Sequence, residues 1–558
     1  MKSATDKNFS MLKSNRPSMS DDKNAEIFDG FRFLGALILF TATSAMFFAL
    51  SPAMLNHHDE GIILTRALRV AAGEVPSRDF YTSYGPAQFY ILHWVTALFG
   101  QNANVARAYD AIVASGIIFA GLALLRDHPY RSTKVILYFT FATLLITYRF
   151  ALYPLNLSTL FLVLICHQQN LFMRQTGDLR RGIEVGLLVV LGFLTRYDVG
   201  IASFVLVLGS HCLLFLNNRL SWGSFISVPG EELLKALSIQ VSFLLLSCLG
   251  LYQVGILAPA LQDILVYNAT IYTEMRALPF PRFFGPEAQP LAAILVVLPP
   301  LTLLFSSTYL LSAFFRGRLG EHRDAFLIVL LTASVLLFFG KAWVRTSEVH
   351  ALPAILLSVV LLLLIIVPSQ RSSALGWLRW RWYSLTASSI MALLLLALST
   401  WKLPMRPPIA IYLGAPDTAV RISSIGLFKR PLQDLEAAAY VARHTRDSDR
   451  IFSAVGRHDK IFVNNVAFYY LAQRLPATRW YYFDPGVLTS AEVQTQIIAE
   501  LLKERPPIVV RDSRWDDAQE PNPSAVSSGV VLLDEFIDQN YREVKRFGTI
   551  TVLKPIDH

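Results

Sequence analysis

The feature that most constrains this chain is a series of apolar segments recurring through about its first 400 residues, most of them long enough to cross a bilayer as a helix. A helix advances 1.5 Å per residue, so about 20 apolar residues are needed to cross a hydrocarbon core roughly 30 Å thick. Lipid offers no partner to an unpaired backbone N–H or C=O, so helix is the form such segments take. About eleven segments meet the criterion, near 32–51, 105–125, 135–148, 152–172, 183–195, 199–216, 235–256, 290–313, 325–340, 350–368 and 384–400. The composition agrees: 53% of the 558 residues are hydrophobic, 16% are charged, and the mean hydropathy is +0.43. The expected fold is a polytopic α-helical membrane protein with about 11 transmembrane helices.

A net charge of +9 raises nucleic acid as a partner. The cations are spread between apolar spans rather than gathered on one arm or face, so nucleic acid is not expected. Topology accounts for the excess. With the N-terminus cytoplasmic, the cytoplasmic loops hold Arg126, Arg131 and Lys134; Arg174, Arg180 and Arg181; Arg219 and Lys235; Arg316, Arg318 and Arg323; and Arg371, Arg379 and Arg381, as the positive-inside rule requires. The opposite loops are 51–104, 148–152, 195–198, 257–289 and 340–349, where the few cations stand beside acids, aromatics and histidines. The polar tail 1–30 is too long and too mixed in charge for a cleavable signal peptide, so the first span is expected to remain as an anchor behind a disordered cytoplasmic tail. Cys166, Cys212 and Cys248 all lie in apolar runs, where packing rather than disulfide formation is the expected role.

The transmembrane region, 31–401, gives way at Pro404, Pro407, Pro408 and Pro416 to a stretch of different character. Amphipathic helical patterns at 432–443 and 491–503 alternate with apolar runs at 451–455 and 507–510, and 541–555 reads as a strand or hairpin. Residues 402–558 are therefore expected to form a soluble α/β domain, extracytoplasmic after an odd number of spans. They carry no glycine-rich phosphate loop, metal-ligand spacing or nucleophile elbow, and Arg457, His458 and Asp459 read as a solvated turn.

Ionisable residues at membrane depth are costly and mark functional sites. On the outward side they are Asp59 and Glu60 in Asn56-His57-His58-Asp59-Glu60-Gly61, Arg78 and Asp79, Arg149, Arg196 and Asp198, and Lys341, Arg345, Glu348 and His350. The apolar windows 135–148 and 183–195 would span only about 20 Å, which sinks Arg149 and Arg196 below the interface and implies a polar cavity open to the outside. Arginine forks, a lysine and a histidine suit a phosphate or diphosphate. A carboxylate facing them suits a general base acting on an acceptor hydroxyl while the cations stabilise a departing phosphate. Together these parts point to glycosyl transfer from a lipid phosphate, with Asp59 as the base.

Each candidate has a plainer role beside it. Asp59 could cap the helix that follows it. His57 and His58 are adjacent and do not face one way on a helix, which disfavours a metal. Arg78 and Asp79 either pair with each other or touch substrate. Tyr81 and Tyr84 either stack on sugar or anchor at the interface. Arg196 and Asp198 either tie two helices together or contact the donor, and Arg149 carries the same choice. The loop 257–289, with Tyr267, Asn268, Tyr272, Glu274 and Arg276, is placed to gate the cavity or bind acceptor.

The Asp59-Glu60 pair, followed by Gly73-Glu74-Val75-Pro76-Ser77-Arg78-Asp79-Phe80 and Tyr84-Gly85-Pro86, resembles the class C integral-membrane glycosyltransferases. The resemblance covers roughly 30–400, and is to the bacterial branch that groups with protein mannosyltransferases, the lipid A aminoarabinose transferase and rhizobial core-sugar transferases. It implies a polyprenyl-phosphate-linked hexose or pentose as donor, inversion at the anomeric carbon, and a lipid, glycan or protein hydroxyl as acceptor on the outer face of the bacterial inner membrane. It implies no cofactor, the sugar lipid being a substrate, and in general no metal. Asp59 matches the family's catalytic Asp. Arg345-Thr346-Ser347-Glu348-Val349-His350-Ala351-Leu352-Pro353 is similar to a motif of this group in which an acid follows the Arg and a His precedes Leu-Pro, with Glu348 standing where Asp is expected. The likeness, with charge, assigns donor phosphate to Arg345, His350 and Lys341. Glu60, Arg78, Asp79, Tyr84, Arg149, Arg196, Asp198 and Glu348 complete the substrate-binding candidates. The competing class is a transporter or flippase for an anionic glycolipid, against which stands the lack of an internal repeat. A third reading makes the C-terminal domain a partner-binding module of an assembly protein.

Overall fold

Helix occupies nearly every apolar segment in the computed structural model, which describes residues 19–51, 55–126, 131–147, 152–175, 177–220, 228–316, 324–366 and 432–556. In chain order the helices of the apolar part are α1 (Met19–Ala49), α2 (Asp59–Ala71), α3 (Ala87–Phe99), α4 (Ala103–Leu124), α5 (Arg131–Thr147), α6 (Leu155–Arg174), α7 (Leu179–Thr195), α8 (Tyr197–Leu220) and α9 (Gly230–Gln253). Then come α10 (Leu257–Gln262), a π-helical stretch Asp263–Tyr272, α11 (Thr273–Met275), α12 (Pro290–Phe315), α13 (Ala325–Ala342) and α14 (Glu348–Ile366). Ten of these fall on expected spans: α1, α4 to α9 and α12 to α14. Among the described residues, six helices are both long and apolar enough to cross a membrane, at 103–124, 197–217, 230–253, 290–315, 325–342 and 348–366. The expected span 384–400, the proline linker and Arg149 lie outside the described residues.

The helices outrun the apolar windows where polar residues continue the hydrogen-bond ladder. α1 reaches back to Met19, through residues assigned to the tail. α5 and α7 each have 17 residues rather than the shorter windows read from hydropathy, taking in Arg131 and Lys134 or Arg180 and Arg181. Asp178 starts α7 by accepting the backbone N–H of Arg180 at 3.1 Å, a side-chain cap that satisfies a donor the helix leaves open.

α3 was not anticipated as an element. Its 13 residues, about 20 Å, are too few to span. One side buries Phe89 and Leu92, while Trp94, Leu98 and Phe99 stay exposed. That two-faced pattern with an exposed tryptophan fits a helix lying in a membrane interface.

The C-terminal unit runs α15 (Leu432–Arg443), β1 (Arg450–Val455), α16 (Ala467–Ala472), β2 (Leu475–Pro476), α17 (Ala491–Glu504), β3 (Val509–Asp512), α18 (Leu532–Asn540), β4 (Tyr541–Phe547) and β5 (Ile550–Pro555). The sheet order is β2-β1-β3-β5-β4. β1 is parallel to β2 and β3, while β5 is antiparallel to β3 and to β4, its hairpin partner. Helices over a short parallel sheet bury β1 on both faces, and 451–455 is buried throughout, Ser453 being its one polar residue. Arg457, His458 and Asp459 are not a solvated turn. His458 is fully buried with Nδ1 2.8 Å from Asp534, and Asp459 receives Arg457 and Ser527.

This unit shares one hydrophobic core with the segment after α1, including Ile62, Ile63, Phe80, Tyr81, Phe89, Phe452, Phe468, Trp480 and Tyr482. Tyr81 is fully buried there, stacked on Tyr482 at 5.0 Å and beside Trp480 at 4.6 Å, so it neither faces sugar nor anchors at an interface. The backbones meet directly on α2. Ala467 donates its N–H to His57 O at 2.8 Å, and Thr65 Oγ1 donates to Val466 O at 3.0 Å. Gly61 makes this approach possible, because a Cβ there would stand 2.3 Å from the Ala467 nitrogen. Gly61→Ala should therefore destabilise the protein by about 1–3 kcal/mol through overpacking, read as a lower melting temperature in detergent and faster protease cleavage of the C-terminal unit.

Candidate functional site

The start of α2 is built by Asn56, whose Oδ1 accepts the backbone N–H groups of His58 and Asp59, both at 2.9 Å. That is the capping work considered for Asp59 itself. Released from it, the Asp59 carboxylate takes one hydrogen bond among the described residues, 3.0 Å from Asn56 Nδ2. Burial pushes its pKa above the ordinary carboxylate value, opposed by the Asn56 hydrogen bond and by the charges of Arg276 and Arg345.

Its neighbour Glu60 goes the other way. Glu60 accepts Arg107 Nε at 2.9 Å and Nη2 at 2.8 Å, and the backbone N–H of Asn56 at 2.6 Å. Both charged side chains are buried, at 2% and 3% exposure, so this is a fork-to-carboxylate pair fastening α2 to α4. Expected as a substrate contact, Glu60 has both its oxygens engaged inside the protein. The histidines differ too. His57 contacts Arg514 at 2.7 Å and Asp434 at 3.5 Å, both in the C-terminal unit, whereas burial and then Arg276 lower the His58 pKa to about 3, leaving a neutral ring. Among the described residues no group of three or more His, Cys, Asp or Glu side chains is arranged to hold a metal ion.

Arg276 and Arg345 lie within electrostatic range of Asp59, and with Arg196 and Lys341 they also act on His350. Arg196, in the joint between α7 and α8, pairs with Asp198 at 3.0 Å, and Asp198 also receives Lys341 from the end of α13 at 2.8 Å. Asp198 thus ties the two helix ends together, yet 44% of its side chain remains exposed. Tyr84 has its ring centroid 5.1 Å from the Arg196 guanidinium carbon and 5.1 Å from that of Arg66, a cation–π arrangement on both counts. His350, near the start of α14, is fixed between Ser347 Oγ on Nδ1 at 2.8 Å and Tyr153 OH on Nε2 at 3.1 Å. Its ring lies within electrostatic range of Arg345, Arg196, Lys341 and Arg276. Arg345 reaches into the same region from the turn between α13 and α14, a turn bridged to the 257–289 loop by Leu278 N donating to Val344 O at 3.1 Å.

Three expected residues stand apart from this cluster in their contacts. Arg78 and Asp79 form a bidentate pair, 2.9 and 2.8 Å, and Asp79 also accepts Val75 N at 2.7 Å, so together they close the turn before Phe80. Glu348 sits in the first turn of α14, where a carboxylate favours the positive helix end.

Sequence reading missed the contribution of the C-terminal unit. Asp484 receives Tyr81 OH at 3.3 Å and lies within the fields of Arg276, Arg66 and Arg345; burial lifts its pKa to about 6. Glu520 bonds Arg345 at 2.6 Å and 2.9 Å and Arg276 at 3.0 Å. The available signal for Asp484 was the aromatic run Trp480-Tyr481-Tyr482-Phe483 just before it, unusual in a domain expected to be soluble. For Glu520 the sequence offers none.

No protein-family model matches the chain, and no curated protein matches it in sequence. Solved structures do. The crystal structure of ArnT from Cupriavidus metallidurans bound to undecaprenyl phosphate superposes with a TM-score of 0.51 at 13% identity, covering 94% of this chain and 98% of that one. The apo crystal structure of the same protein gives a TM-score of 0.51, 13% identity and the same coverage. The chain therefore has the fold of a class C membrane glycosyltransferase.

Glu60→Ala should cost about 3–5 kcal/mol by removing the carboxylate that the buried Arg107 fork binds, seen as a fall in melting temperature that Arg107→Met on the same background partly restores. A Glu60 that served only substrate would leave the melting curve in place.

Proposed function

We propose that this chain is an inverting glycosyltransferase that moves a hexose or pentose from a polyprenyl-phosphate donor to a hydroxyl of a lipid-linked or cell-envelope acceptor. The observation that carries the reading is the separation of roles among neighbouring charged groups. One carboxylate, Asp59, is freed from capping and raised in pKa, and it lies within the fields of Arg276 and Arg345, which with Arg196 and Lys341 also act on His350. The fold is shared with a protein whose crystal structure holds undecaprenyl phosphate, which supports a lipid phosphate as the anion for those cations.

In the proposed reaction Asp59 takes the proton of the acceptor hydroxyl as its oxygen attacks the anomeric carbon. The bond from that carbon to the phosphate oxygen breaks, and the polyprenyl phosphate departs with the electron pair. Charge grows on the leaving phosphate, where Arg345, Lys341 and His350 act as preorganised partners. Tyr153 and Ser347 orient the His350 ring from its two nitrogens. Arg196, Asp198 and Tyr84 form the wall in which the sugar would sit. The chemistry proposed here needs no metal or cofactor. In this reading residues 31–401 form the transmembrane glycosyltransferase domain of a bacterial inner-membrane protein, and 402–558 an extracytoplasmic domain that closes the site from outside.

Three outcomes are expected from purified protein given a polyprenyl-phosphate sugar and an acceptor. Asp59→Asn should lose about 10²–10⁴-fold in turnover with melting temperature and donor binding retained, the usual scale for a general base. Transfer by Asp59→Asn at the wild-type rate would sink the role of Asp59, and lipid translocation without sugar transfer would replace the transferase by a flippase. The base works ionised, and burial raises its pKa. The pH profile of kcat/KM should therefore fall on acidification with an apparent pKa above the ordinary aspartate range, and that limb should vanish in Asp59→Asn. Arg345→Ala should weaken donor binding about 10- to 100-fold, the scale of a charge-assisted hydrogen bond.

A further inference from the structure

Glu520 belongs to the loop 513–531 of the C-terminal unit, but its carboxylate serves two guanidinium groups that lie outside that unit. Oε1 accepts Arg345 Nη2 at 2.6 Å, and Oε2 accepts Arg345 Nη1 at 2.9 Å. Oε2 also lies 3.0 Å from Arg276 Nη1 and accepts Asn522 Nδ2 at 2.9 Å. The two arginines are themselves linked, since Arg345 Nη1 donates to the Arg276 carbonyl at 3.0 Å. A carboxylate lying in the fork of a guanidinium presents two anionic oxygens to two parallel N–H groups, which is the pattern a phosphate presents. One fork cannot serve both at once.

We propose that Glu520 is the resident counter-anion of the donor-phosphate site: it holds Arg345 and Arg276 while no lipid phosphate is bound, is displaced by the donor's phosphate, and returns as the product lipid phosphate leaves. The proposal rests on the reading of Arg345 as a phosphate ligand given above. Two observations say why such a group belongs here. Arg345 and Arg276 are largely buried, with side chains 16% and 8% exposed, and buried guanidinium groups without an anion are costly. An empty site therefore needs a stand-in. The stand-in is carried on a loop whose regular structure among the described residues is the single 3₁₀ turn Pro523–Ala525, so moving it breaks no strand or long helix. In effect the fold keeps the arginines aimed between turnovers and supplies a competitor that hastens release of the phosphate product.

The test is equilibrium binding of undecaprenyl phosphate in detergent to the full-length protein, comparing wild type with Glu520→Gln, Asn522→Ala and Arg345→Ala. Glu520→Gln keeps the size of the side chain and removes its charge, and should bind the lipid phosphate about tenfold tighter or more. Asn522→Ala leaves the carboxylate in place but loosens it, and should show a smaller gain; it also serves if Glu520→Gln does not fold. A variant that binds no tighter, or more weakly, would overturn the proposal and make Glu520 a fixed support for Arg345. The Arg345→Ala arm separates the two claims. If it binds as well as wild type, the phosphate reading of the site fails; if it loses binding while the Glu520 and Asn522 variants gain nothing, the site stands and only the counter-anion falls.

Discussion

Everything at this site depends on α2 being clamped from two sides. It has 13 residues, nearly all buried, and an isolated helix of that length is marginal in water. The bundle holds it through Glu60 and Arg107, and the C-terminal unit holds it through the backbone contact at Gly61 and Ala467. Asp59 sits at the first turn between these clamps, so its direction is set by contacts made on other faces of the helix. The tyrosines of Trp480-Tyr481-Tyr482 complete the same core. Arg66 is enclosed among Tyr84, Phe89, Tyr481 and Tyr482, an aromatic surrounding in which the rings' negative faces offset some of the cost of burying a charge.

The second organising quantity is charge. The site collects Arg196, Arg276, Lys341 and Arg345 beside Asp59, Asp198, Asp484 and Glu520, and two of those acids, Asp198 and Glu520, each bridge a pair of cations. The pairs differ in what holds them. Asp198 comes from the same helix joint as Arg196 and links helix ends within the bundle, whereas Glu520 comes from a separate unit and a loop. Of the two bridging acids, one is built into the bundle and the other is supplied by the C-terminal unit.

How much of this was legible follows from how local each signal is. The ten helices on expected spans were readable because hydropathy sums over neighbouring residues, and α15, α17 and the hairpin of the C-terminal unit because period and turn residues are local as well, whereas the short α16 and α18 were not anticipated. α3 was lost because 13 apolar residues fall below the length that marks a span. Asp59, Arg345 and His350 were singled out as candidates because each lies in a short contiguous motif. The duty of Glu60 was not, since its partner lies 47 positions on, and that of Glu520 even less so, at 175 positions from Arg345. The choice between pair and contact for Arg78 and Asp79 needed the turn itself, with Asp79 accepting Val75 N.

α3 bears on where the cations sit relative to an apolar surface. The helix begins directly after Tyr84-Gly85-Pro86, and Gly85 is pressed so closely on Leu194 that an added Cβ would stand 2.2 Å from its carbonyl oxygen. Gln88 on α3 donates to the Thr195 carbonyl at 3.2 Å, one residue before Arg196. Held by these contacts to Tyr84 and the α7–α8 joint, α3 carries its exposed Trp94, Leu98 and Phe99 on the same braced piece as Arg196, so an outward apolar surface and a cation of the cluster keep a fixed spacing.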